Sequence, residues 1–152
     1  MADLIRPTLV AWLGAEPDAA ELHYLLALPE VRPAGLDPLA LLRRAVELDP
    51  AHEGARLTFA DWAAAAAEDA QHELPWAGYL GSAEQDAGDL RNALAMVDGL
   101  DRDGLADELR VRLEVAEAWL AFEREGAHDF AQWCAARGGP SEMLAKVAAV
   151  EW

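Results

Sequence analysis

Residues 104–125 read GLADELRVRLEVAEAWLAFERE, and the fold turns on how this stretch is read. At 3.6 residues per turn, Leu105, Leu109, Leu113, Ala116 and Leu120 fall along one line and Val111, Val115, Ala118 and Phe122 along a second, with Trp119 between them. A helix apolar over so wide an arc meets neighbours on two sides, so this segment belongs inside a helical assembly. The remaining face carries Asp107, Arg110, Glu114 and Glu117, and Arg110 and Glu114 are four residues apart, where opposite charges pair. Gly126 ends the helix.

The same periodicity recurs on both sides, and the punctuation is Pro and Gly rather than the alternating β-branched runs of strands. Ser82 and Gln85 have the spacing of a capping box, with Glu84 and Asp86 suited to a helix amino end, so a helix is predicted from 83 to about 97. Asp37-Pro38 reads as an N-cap followed by proline at the first helical position and starts a helix over 38–48. The same pair at Asp49-Pro50 predicts a longer helix from about 50 to 73, with Leu57, Phe59 and Trp62 ahead of the alanine run 63–67. Helices over 4–13 and 18–28, separated by Gly14 and Pro17, precede these. Helices over 129–137 and from about 140 to 150, divided by Gly138-Gly139, follow the 104–125 helix. The expectation is an all-α chain of seven or eight antiparallel helices packed as hairpins in a single domain, 1–152, with Trp12, Trp62, Trp119 and Trp133 in its core.

Within this array, residues 39–50, LALLRRAVELDP, resemble the second helix of a tetratricopeptide repeat, with Leu42, Ala45 and Pro50 on its large, small and proline positions. Extending the 34-residue period puts Arg56, Phe59, Ala60 and Ala63 on the next repeat's aromatic, leucine, glycine and tyrosine positions and His72 on its small-residue position, while Pro38 fills the small slot before Leu42. The resemblance covers a dozen residues and implies a helical-hairpin architecture with a protein-binding role.

Composition limits the partners. Asp and Glu number 28 against 12 Lys and Arg, a formal net charge of −16, which repels nucleic acid and anionic lipid and attracts basic proteins and cations. Hydrophobic residues make up 53% of the chain, ample for a core. Cys134 is the single cysteine, which excludes an intramolecular disulfide and a multi-cysteine metal site and points to a reducing compartment. No apolar run approaches the roughly 20 residues that span a bilayer, and the amino terminus lacks the pattern of a signal peptide, so a cytoplasmic protein is expected. One lysine against eleven arginines, with abundant alanine, fits a GC-rich bacterial genome.

No motif for nucleophilic catalysis, phosphate binding or dinucleotide binding occurs, and no cofactor is expected. Cys134, beside Trp133 and six residues after His128, reads as a small buried apolar group rather than a nucleophile. Glu68 and His72, four apart on one helix face, could share a metal ion if a second helix completed the site; a metal-dependent enzyme centred there is the alternative class. The acidic excess is uneven: residues 61–125 hold sixteen acidic and five basic side chains. Asp98, Asp101, Asp103, Asp107 and Glu108 crowd one turn and the helix start beyond it, either as a solubilising coat or as a docking face for a basic protein. Trp76 and Tyr79, in an irregular segment, are the candidate apolar anchor or else plugs closing the end of the bundle. The expected function is protein–protein interaction, as an adaptor or as an immunity-type protein that neutralises a cationic toxin or nuclease.

Overall fold

The computed structural model describes residues 2–74, 77–100, 102 and 104–137. All regular structure among them is α-helical: α1 (Ala2–Ala15), α2 (Ala20–Ala27), α3 (Pro38–Leu48), α4 (Glu53–Gln71), α5 (Ala83–Val97), α6 (Leu105–Glu125) and α7 (Phe130–Ala136). The expected helix from about 140 to 150 lies outside the described residues. The chain divides into two compact units, Met1–Trp62 and Ala63–Trp152, with α4 contributing residues to both.

Helix starts follow local chemistry. Asp37 caps α3, its Oδ1 accepting the Leu39 N–H at 3.0 Å, with Pro38 behind it. Ser82 Oγ accepts the Gln85 N–H at 3.2 Å to begin α5, and Asp129 Oδ1 accepts that of Gln132 at 2.8 Å to begin α7. α6 is bounded by left-handed glycines, Gly104 and Gly126. Each cap satisfies an amide that the first turn leaves unpaired, worth about 1 kcal/mol.

Several helix ends differ from expectation by one to three residues, two of them for a visible local reason. Gly14 lies inside α1, which runs on to Ala15; the break comes with Pro17, because a glycine is tolerated in a last turn whereas a proline restricts the residue before it. Asp49 does not cap α4. Its carboxylate turns back to the Ala51 N–H at 3.0 Å, and α4 begins at Glu53, capped by the ring of His52, whose Nδ1 accepts the Ala55 N–H at 3.1 Å.

In the first unit α2 packs on α1 and on α3. Leu9, Leu22 and Leu26 are buried together, with Leu13, Leu25, Val31 and Leu41 against them. Fully burying a leucine such as Leu26 is worth roughly 1.5–3 kcal/mol. The Arg6 Nε donates to the Val31 carbonyl at 3.0 Å, closing the segment after α2 against α1. Trp12, expected in the core, is instead 58% exposed: α1 covers only the face carrying Leu9 and Leu13, and Trp12 lies off that face.

In the second unit α6 packs on α5 and α7. Its core joins Leu74, Val115, Phe122, Phe130 and Cys134, with Tyr79, Trp119 and Trp133 packed around them. Trp119 stands 5.0 Å, centroid to centroid, from both Phe122 and Phe130. Trp133 stacks on Phe130 at 6.0 Å and donates its indole N–H to Glu125 Oε2 at 2.9 Å; the same oxygen takes the Arg137 guanidinium, which lies over the Trp133 ring. Gly78 has φ of +87°, and a Cβ there would sit 3.2 Å from the Trp119 ring, so a side chain would strain the turn and press on the indole.

Candidate functional site

The acidic turn joins α5 to α6, and three of its five expected residues are described. Asp98, exposed, follows the last turn of α5. Asp107 and Glu108, also exposed, occupy the first turn of α6, where the helix dipole favours carboxylates. Asp107 Oδ1 pairs with Arg110 at 2.5 Å, and Glu108 lies 3.9 Å from Arg112. Asp101 and Asp103 lie outside the described residues, as does Trp76.

Tyr79 is half-buried, its ring 6.2 Å from that of Trp119, and its hydroxyl donates to Asp86 Oδ2 at 2.8 Å. Burial, then the neighbouring Asp86 carboxylate, push the phenol upward from its ordinary pKa. Burial likewise raises the Asp86 carboxyl; the Tyr79 hydrogen bond opposes that rise and the charge of Asp89 adds to it. The hydrogen bond ties Tyr79 to the amino end of α5, whereas Asp98 stands beyond its carboxyl end. Asp86 and Asp98 are separated by about 18 Å along the axis at 1.5 Å per residue, so Tyr79 and Asp98 stand at opposite ends of α5.

Glu68 and His72 have separate partners. Glu68 Oε1 meets Arg112 at 3.1 Å, and His72 Nδ1 meets its neighbour Glu73 at 3.1 Å. The Arg112 side chain is only 11% exposed and lies between Glu68 on α4 and Glu108 on α6, while the Gln71 amide donates to its backbone carbonyl at 2.8 Å. Among the described residues no group of three or more His, Cys, Asp and Glu side chains is placed to hold a metal ion. Cys134 is buried, and burial pushes its thiol up to about 11.

Beside Tyr79 lies a feature that sequence reasoning missed: an open cleft of about 400 Å³ between the carboxyl half of α4 and the start of α5. Ala66 and Ala70 form one wall, Leu80 and Gly81 another, and Asp69, Gln85 and Asp86 supply its polar groups. The Leu80 N–H donates to the Ala70 carbonyl at 2.9 Å, which fixes the loop against α4 and leaves the Leu80 side chain 46% exposed. The Ser82 cap locates one side of the cleft in the sequence, but its pairing with Ala66, Asp69 and Ala70 is tertiary and has no local signal.

No protein-family model, no curated protein and no solved structure matches this chain. No helix among the described residues is long and apolar enough to cross a membrane.

Proposed function

We propose that this chain is an acidic protein-binding module of the bacterial cytoplasm that neutralises or recruits a basic protein, its helices arranged as antiparallel hairpins in the manner of tetratricopeptide repeats. The observation that carries the reading is the placing of charge: sixteen acidic side chains against five basic ones within residues 61–125, with Asp98, Asp107 and Glu108 exposed at the junction of α5 and α6. Charge gathered on one face raises association rates by about 10- to 1,000-fold and selects oppositely charged partners. An immunity-type protein that occludes a cationic toxin or nuclease is the specific form this chemistry suits.

The test is capture on the immobilised chain at low and high salt, with mass spectrometry of what is retained. A discrete basic protein, held in stoichiometric amount at low salt and lost when Asp98, Asp107 and Glu108 become Asn, Asn and Gln, is the expected result. Retention indifferent to salt and to the triple substitution would make the charge a solubilising coat.

A further inference from the structure

We propose that the Tyr79 hydroxyl is a two-position proton switch: it is donated to Asp86 while that carboxylate is charged, and it turns to Gln71 Oε1 once Asp86 takes up a proton. The switch stands on the placing of three side chains, from α4, the loop after it and α5, whatever the acidic surface binds.

Gln71 is only 5% exposed, and its Nε2 donates to the Arg112 carbonyl at 2.8 Å. A carbonyl can only accept, so this contact fixes which end of the amide is nitrogen and leaves Oε1 as a buried acceptor with no hydrogen-bond donor among the described residues. Such an atom keeps the cost of leaving water until a donor reaches it. The same amide borders the Tyr79 phenol as a hydrogen-bonding neighbour, so the hydroxyl has two acceptors at hand, Asp86 Oδ2 at 2.8 Å and Gln71 Oε1. A charged Asp86 wins, because a hydrogen bond to a carboxylate is roughly twice as strong as one to a neutral oxygen.

Protonation reverses the order. A neutral Asp86 carries an O–H of its own, which donates to Tyr79 Oη; the phenol keeps its proton, turns about its C–O bond and donates to Gln71 Oε1. One proton enters from solvent and no other O–H bond breaks. The groups then form one chain, Asp86 to Tyr79 to Gln71 to the Arg112 carbonyl, in which Oε1 is filled and each bond polarises the next. Burial favours the uptake, the charge of Asp89 on the same helix adds to it, and Asp69 lines the same cleft from α4. Opposing it are the Tyr79 hydrogen bond and the positive amino end of α5. From α6, the Arg112 guanidinium is engaged by Glu68 at 3.1 Å, with Glu108 at 3.9 Å.

The experiment is a ¹³C NMR titration of the labelled full chain from about pH 3 to about pH 8, following Asp86 Cγ, Tyr79 Cζ and Gln71 Cδ. All three are expected to move with one midpoint, above the ordinary aspartate value of 3.8. Gln71→Leu, which removes the second acceptor, should weaken proton binding at Asp86 by about three- to tenfold, the worth of one net hydrogen bond. In Tyr79→Phe, which removes the hydroxyl, Gln71 Cδ should no longer follow Asp86. An unchanged Asp86 midpoint in Gln71→Leu would overturn the switch. So would a Gln71 Cδ that ignores Asp86 in the wild type, since Oε1 would then be served by water. Should Gln71→Leu unfold for want of its bond to Arg112, Tyr79→Phe decides alone: a Gln71 Cδ that still tracks Asp86 without the hydroxyl would make the coupling a through-space effect of charge and overturn the proposal.

Discussion

His52 Nε2 stands 3.0 Å from Glu21 Oε2, while Nδ1 of the same ring accepts the Ala55 amide. Because Nδ1 is an acceptor, the proton resides on Nε2 and is donated to the carboxylate. One imidazole thus starts α4 and ties it to α2, with the Tyr24 ring 4.8 Å away, centroid to centroid. His52→Ala removes both bonds and is expected to cost about 1–2 kcal/mol in urea unfolding. His52→Asn, which keeps a capping oxygen but not the reach to Glu21, should recover roughly half. Equal losses for the two variants would show that the cap contributes nothing.

Gly78→Ala should be destabilising by about 1–3 kcal/mol, since alanine must take a left-handed backbone and drive its methyl into Trp119. Thermal unfolding followed by tryptophan emission checks this, with a displaced Trp119 changing the native spectrum as well as the midpoint. A wild-type midpoint would mean that the loop shifts freely.

Leu109 and Leu113 share a line on α6, yet Leu109 is fully buried and Leu113 only partly. Leu109→Ala is expected to cost about 2–5 kcal/mol and Leu113→Ala less than half as much. Chemical denaturation of the pair measures the difference directly; equal costs would place both residues in one core.

Cys134 links stability to alkaline pH. Its folded pKa of about 11 lies above the ordinary value of 9.0, so the thiol ionises first in the unfolded chain. The contribution is full below pH 9 and is lost as pH rises towards 11. Urea unfolding at several pH values between 8 and 11 should show a shallower loss for Cys134→Ala than for the wild type. Parallel slopes would place the thiol in solvent.

Much of the helical plan was legible because its signals are local. Asp37-Pro38 and Ser82 each announce a helix start through a side-chain oxygen within three residues of the amide it serves. The start of α4 was not legible: a histidine ring serving as cap lacks the short oxygen that marks Asp or Ser, and the nearby Asp49-Pro50 pair offered the commoner signal. The exposure of Trp12 depends on which side of α1 another helix covers, and periodicity gives the stripe without its partner. The cleft depends on α4 and the start of α5 lining one surface, with Leu80 seated on the Ala70 carbonyl, a tertiary relationship between segments more than ten residues apart.

α7 has seven residues, too few to hold a helix in water without docking. Its outer attachment to α6 passes through a single oxygen of Glu125, shared by the Trp133 indole and the Arg137 guanidinium. The Trp133 hydrogen bond, helped by Arg137, holds that carboxyl below the ordinary glutamate range. Its stabilising share is therefore complete above the ordinary value and disappears as acid passes the lowered one. In hydrogen-exchange terms, protonating Glu125 loosens the outer edge of α7 while Phe130 and Cys134 keep its inner face docked, so the α7 amides are expected to lose part of their protection in acid.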